Sequence, residues 1–154
     1  MKTVRLSCAH ALFKFLIAQK TIIDGKKVPL FPGAFAIYGH GNVACLGQAM
    51  EEFQSDLPGY RGHHEQSMAL SGIGYARAMR RKQIFIATSS SGPGAMNMVT
   101  AAGVALSNRL PLLLLPGDVF ASRFPDPVLQ QVENFNSPVE NQNDAFKPVS
   151  RFFD

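Results

Sequence analysis

Three short apolar runs set the terms on which this chain can fold. They are Ala34-Phe35-Ala36-Ile37-Tyr38, Gln83-Ile84-Phe85-Ile86-Ala87-Thr88 and Pro111-Leu112-Leu113-Leu114-Leu115. Each ends in a turn-forming cluster: Gly39-His40-Gly41-Asn42, Ser89 to Gly94, and Pro116-Gly117-Asp118. Helical patterns fill the spaces around them, over residues 43–53, 65–80 and 95–107. Strands alternating with helices of this length specify right-handed βαβ units and a parallel sheet. Strands that are apolar throughout need cover on both faces. The expected fold class is therefore α/β, a three-layer, doubly wound parallel sheet with helices on both faces. In such a sheet the loops that follow the strands gather at one edge, where ligands bind. GHGN, SSSGPG and PGDVF should therefore converge.

The rest of the chain is read more sparingly. Ala9, Leu12, Phe13, Leu16 and Ile17 repeat at the spacing of one helical face, with Ser7 as N-cap. Asp24-Gly25-Lys26-Lys27 reads as a turn, and Leu57-Pro58-Gly59-Tyr60 as a break. Beyond Phe124 the chain is rich in Pro, Asn and Gln, and no element is read there.

Composition removes several function classes. With 154 residues, 46% hydrophobic and 17% charged, this is one globular domain and not a disordered segment. A net charge of +4 is mild. The one basic run, Arg80-Arg81-Lys82, reads as a favourable helix C-terminus, and no basic stripe with interleaved aromatics points to nucleic acid. Cys8 and Cys45 follow no metal-ligand or CxxC spacing, so buried free thiols in a reducing compartment are expected. Lys14 and His10 interrupt the apolar N-terminal stretch, which argues against a signal peptide. The longest purely apolar run, Leu112–Leu115, is far short of the roughly 20 residues of a membrane span. A cytoplasmic protein without a membrane partner is expected.

Three stretches carry chemistry. In SSSGPG two glycines permit positive φ and close backbone approach, and Pro93 stiffens the turn. The loop is either a capped strand-to-helix turn or a place for an anion or the polar edge of a heterocycle. It lacks the P-loop lysine, which argues against a nucleoside triphosphate. GHGN needs no ligand to explain it, although His40 could face a pocket. Glu65, in His63-His64-Glu65-Gln66, is either a first-turn acid favoured by the helix dipole or a functional carboxyl. The helix it opens contains Ala69, Ser71, Gly72, Gly74 and Ala76. Glycine there costs about 1 kcal/mol relative to alanine, so two within three residues imply a close packing surface or a ligand.

Taken in order, these stretches resemble the pyrimidine-binding (PYR) domain of thiamine-diphosphate-dependent enzymes. The resemblance lies in His64-Glu65-Gln66, in Tyr75-Ala76-Arg77 at the end of the small-residue helix, and in Thr88-Ser89-Ser90-Ser91-Gly92-Pro93-Gly94. Asn97 in the following helix and Asp144-Ala145-Phe146 late in the chain complete it. The likeness runs over nearly the whole chain. Within the family, Ile37–Val43, Asn108–Gln131 and Asn143–Asp154 look closest to a branch that hydrolyses a C–C bond of a cyclic 1,2-diketone in inositol breakdown.

The resemblance implies thiamine diphosphate as cofactor. It implies that Glu65 hydrogen-bonds N1′ of the aminopyrimidine, favouring the imino tautomer whose N4′ takes the proton from C2 of the thiazolium. Ser91, Gly92, Pro93, Gly94 and Asn97 would shape the pyrimidine pocket. His40 and Asn42 would face the substrate, with Asp118 a further candidate, and none of these residues would bind metal. The family holds the diphosphate through Mg²⁺ on a separate domain bearing a GDG motif, contributed by a partner subunit. No GDG occurs here, since Gly117-Asp118-Val119 lacks the second glycine. Residues 1–154 are therefore expected to be one PYR domain of a longer chain, inactive alone and completed in a homodimer or homotetramer. Carboligases of the acetolactate synthase kind and 2-oxoacid decarboxylases would use Glu65 and the loop equally. A non-catalytic flavodoxin-like module is the reading from a different class.

Overall fold

The computed structural model describes residues 3–37, 39–118, 130, 132 and 140–154. Its centre is a four-stranded parallel sheet in the order β4-β3-β5-β6, made by β3 (Ala34–Ala36), β4 (Gly59–Arg61), β5 (Ile86–Thr88) and β6 (Leu113–Leu115). Phe35 pairs with Tyr60 on one side and Ala87 on the other, and Ala87 pairs with Leu114. Successive strand residues face opposite layers. Ala34, Ala36, Ile86, Leu113 and Leu115 join one core with α1 (Cys8–Ala18) and α2 (Gln48–Glu52). Phe35, Ala87, Leu112 and Leu114 join the other, with α3 (Glu65–Ala78) and α5 (Val99–Asn108). The three-layer arrangement read from the apolar runs is the one found.

The helices begin where local chemistry starts them. The Ser7 side chain accepts from the His10 N–H at the start of α1. His64 caps α3, its Nδ1 accepting from the Ser67 N–H at 3.4 Å. Helix α3 buries Met68, Ala69, Gly72, Ile73 and Ala76, one stripe at helical spacing. The two glycines of this helix divide their roles. A Cβ on Gly72 would meet Leu112 Cδ1 at 3.0 Å and Phe85 Cβ at 3.3 Å, so its absence lets α3 settle on the sheet; at Gly74 the space outside is open.

Several elements depart from the sequence reading. The expected helix over 43–53 starts as a π-helix, Val43–Gly47, whose widened turn is closed by Gly47 N–H on the Asn42 carbonyl at 3.0 Å. The expected helix over 95–107 is two pieces, α4 (Pro93–Met96) and α5, parted at Asn97 and Met98. The 57–60 break runs into edge strand β4, held by its pairing with β3. Asp24 and Gly25, with φ of 49° and 76°, turn a hairpin of β1 (Lys20–Ile23) and β2 (Lys26–Pro29). The region left blank contains a 3-10 helix, Gln142–Val149, started by a reciprocal Asn141/Asp144 capping box and anchored in the second core by Phe146. Both cysteines are free and exposed instead of buried. Cys8 opens α1 on its outer side, and the π-helix around Cys45 buries none of its residues. Tyr38, which ends the first apolar run, and Val119-Phe120 of the third loop lie outside the described residues, as does most of 119–139. Among the described residues no helix is long and apolar enough to cross a membrane.

Candidate functional site

The three loops do converge, and they meet on Ser90 and Ser91. Gly39 lies so near Ser90 that a Cβ would stand 2.5 Å from the Ser90 Cβ, and one on Gly117 would stand 2.5 Å from the Ser91 backbone nitrogen. The Ser91 N–H donates to the His40 carbonyl at 2.9 Å. Ser89, Ser90, Ser91 and Gly92 are all buried, so the second loop is interior structure and not a surface turn. Gly92 has φ 71°, and a Cβ there would overlap the Gln130 carbonyl oxygen. Pro93 then enters at the first helical position of α4, where its missing N–H costs nothing.

Glu65, on the first turn of α3, reaches this loop. Its Oε2 accepts from Asn97 Nδ2 at 3.1 Å, from the break between α4 and α5. Its Oε1 lies against bare backbone: a Cβ on Gly94 would come within 2.8 Å of it and would also overlap Ser90 Oγ. Among the described residues no donor is bonded to Oε1. One carboxylate oxygen is thus fixed, and the other, without a donor among the described residues, lies beside Gly94. The side chain is only partly accessible, in an environment built from the α3 N-terminus and a buried loop. A carboxyl held in this way can share a proton with a ligand group that reaches Oε1.

The remaining candidates behave differently. Asn42 spends its amide nitrogen on the sheet edge, donating to Thr88 Oγ1 at 3.0 Å and to the Ser89 carbonyl at 2.7 Å, with a longer contact to the Leu115 carbonyl at 3.5 Å. It therefore ties the loop after β3 to the ends of β5 and β6, leaving Oδ1 for any ligand. His40 is exposed, and its backbone rather than its ring makes the contact to Ser91. Asp118 is exposed on the third loop and accepts from Asn141 Nδ2 at 2.5 Å.

Asn141 and Asn143 are the residues that sequence reasoning missed. Asn143 Nδ2 donates to the Gly117 carbonyl at 2.9 Å, and its buried Oδ1 has no partner among the described residues. The readable signal was Asn141 three residues before Asp144, a helix-start pattern. Tyr75 lies away from this edge. Burial and the neighbouring Tyr60 raise its hydroxyl above the ordinary tyrosine value, and it donates to Gln83 Oε1 at 2.8 Å. Among the described residues no three His, Cys, Asp or Glu side chains are grouped to hold a metal ion.

Residues 33–137 match the family described as thiamine pyrophosphate enzyme, N-terminal TPP binding domain. The whole chain is 53% identical to 3D-(3,5/4)-trihydroxycyclohexane-1,2-dione hydrolase of Geobacillus thermodenitrificans and 52% identical to that of Clostridium tetani, covering 24% of each. It is 50% identical over 153 residues, 99% of the chain, to the enzyme of the same name from Listeria monocytogenes, again covering 24% of that protein. The chain thus spans about a quarter of the length of the curated relatives it matches.

Proposed function

Because the chain belongs to the thiamine pyrophosphate enzymes, as their N-terminal TPP binding domain, we propose that Glu65, Ser91, Gly92, Pro93, Gly94 and Asn97 form the pyrimidine half of a thiamine diphosphate site. The enzyme we assign to it is a cytoplasmic hydrolase that opens the ring of trihydroxycyclohexane-1,2-dione in inositol catabolism. The observation that carries this reading is the free Glu65 Oε1 beside the bare backbone of Gly94, with Oε2 anchored by Asn97. A side chain at position 94 would displace Glu65 Oε1 and Ser90 Oγ, so glycine there lets the carboxyl lie against the loop. A carboxyl with one oxygen held by an amide and the other without a donor among the described residues fits the ring nitrogen of an aminopyrimidine.

When bound, thiamine diphosphate supplies a nucleophilic carbon for attack on a carbonyl of the dione. The chain's own residues bind and orient. Glu65 would share a proton with the ring nitrogen that meets its Oε1. Asn97 keeps that carboxyl in one orientation, which matters because a small misplacement of a catalytic group is costly. Gly92 and Pro93 hold Gly94 against Glu65, and buried Ser91 packs under them. Asn42 Oδ1, His40 and Asp118 stand on the loops beside this place, within reach of a polyhydroxylated substrate. In this reading residues 1–154 act as one domain. Mg²⁺ and the diphosphate are held by a second subunit's diphosphate-binding domain, within a homodimer or homotetramer. The open side of α3, with Ser67, Leu70, Ser71 and Gly74 exposed, is suited to that close approach.

The test is Glu65→Gln in the full-length enzyme, assayed with the cyclic dione. Loss of a positioned proton-holding group should lower turnover by about 10²–10⁴-fold. Near-normal turnover would sink the assignment. Formation of acetolactate from pyruvate by the unaltered enzyme, without ring opening of the dione, would transfer the chain to the carboligase branch.

A further inference from the structure

The other end of α3 presents a different chemistry. Arg77 lies in its last turn, and Arg80 and Arg81 follow just beyond its end at Ala78. Together with Asn108, the last residue of α5, and Leu110 just beyond that helix, these arginines line a cleft of about 530 Å³. By helical rise, Arg77 stands roughly 18 Å along α3 from Glu65. The cleft is therefore separate from the loops that hold the candidate carboxyl.

A single cation at a helix C-terminus is explained by the helix dipole. Three arginines lining one cleft are not, because like charges gathered without an acidic partner among the described residues repel. Arg77, Arg80 and Arg81 have no hydrogen-bond or ion-pair partner for their side chains among the described residues, where the two ion pairs are His10–Glu52 and Lys147–Asp144. Arg80 and Arg81 also sit in left-handed conformations, φ 51° and 64°, in the turn that leads towards β5. The run that read as an ordinary helix end is thus carried past the helix and along the wall of a cleft.

The rest of the lining gives the ligand its class. Arginine presents a planar fork of donors that matches a phosphate group in two-point contact. Asn108 uses Nδ2 on the Val104 carbonyl at 2.9 Å, which leaves Oδ1 to accept from a ligand hydroxyl. Leu110 adds a half-buried apolar wall. Small-molecule sites run to about 300–1,000 Å³, so the cleft is of the size for one such molecule. A protein partner would need a much wider patch, about 800 Å² on each side.

We propose that Arg77, Arg80 and Arg81 form a binding site for a small molecule carrying a phosphate group. The site does not rest on the function assigned above. The test is calorimetric titration of the 154-residue protein with inorganic phosphate, ribose 5-phosphate and ADP, each at ionic strength matched with sodium chloride. Saturable one-to-one binding of at least one of them is expected, and the ranking tells free phosphate, sugar phosphate and nucleotide apart. Arg80→Gln with Arg81→Gln should weaken it by about tenfold or more. Arg80→Lys with Arg81→Lys, which keeps charge and fold but loses the fork, should weaken it less. Glu65→Gln should leave it unchanged, so failure of the cofactor assignment and failure of this site are told apart. Absence of saturable binding at matched ionic strength overturns the proposal, as does binding that the Gln variants leave intact. Binding of a hexaglutamate peptide in place of all three phosphates overturns it in favour of an acidic protein surface.

Discussion

Two glycine-rich loops follow neighbouring strands of the same sheet, yet they solve opposite problems. SSSGPG, after β5, is interior: residues 89–92 are buried and its backbone is walled on several sides. GHGN, after β3, lies over the edge with His40 and Gly41 exposed, and is held down mainly through one side chain, Asn42. The first loop makes its shape by what it leaves out, side chains at 92 and 94. The second makes it by what it adds, an amide that reaches two other strand ends. In the first loop, therefore, tolerance should be governed by space; in the second, space matters at Gly39, against Ser90, and donors matter at Asn42.

The largest effect on the fold should come from Gly92→Ala. The new Cβ would overlap the Gln130 carbonyl oxygen and stand 2.7 Å from its carbon, and φ 71° is unfavourable for alanine. Backbone must move on both sides. We expect a loss of roughly 2–4 kcal/mol in urea unfolding. A midpoint equal to that of the unaltered protein would mean that the loop yields at position 92, and that space does not govern it.

Asn42→Asp is the corresponding test of the second loop. The substitution keeps the shape but replaces the amide nitrogen, with its two N–H donors, by one acceptor oxygen. That oxygen would face the carbonyls of Ser89 and Leu115, while Thr88 Oγ1 could turn to donate. Buried acceptors left without donors cost about 1–3 kcal/mol, so a drop in that range is expected. Full-length enzyme carrying Asn42→Asp should lose turnover in proportion to the displaced loop. If stability is untouched and only substrate affinity falls, Asn42 faces the substrate instead of clasping the sheet.

The difference between the loops also marks how far the sequence could be read. Strands, layers and the meeting of three loops followed from apolar runs and turn residues, because these act over short spans. Glu65 gained meaning only from its company, since a first-turn acid is explained locally by the helix dipole. The role of Asn42 was out of reach: its partners lie 46, 47 and 73 residues away, and no local pattern announces them. Strand β4 was hidden for a similar reason. Gly59-Tyr60-Arg61 has no apolar run and is a strand because β3 lies beside it. The π-helix after Asn42 was read as α, because the spacing of side chains does not reveal one widened turn.

The smallest effect on the fold should come from His40→Ala, and its value is as a control on both loops. The imidazole is exposed and no side-chain contact ties it down among the described residues; the useful group at this position is the backbone carbonyl that accepts from Ser91. Alanine preserves that carbonyl. Substitutions at such surface positions usually fall within about 0.5 kcal/mol of neutral, so the unfolding midpoint should not move. If His40 meets the substrate as proposed, turnover or KM in the full-length enzyme must change all the same. An unchanged fold with altered kinetics assigns the imidazole to chemistry and the peptide beneath it to structure. An unchanged fold with unchanged kinetics leaves Asn42 and the Ser91–His40 bond as the loop's whole contribution, and removes His40 from the site.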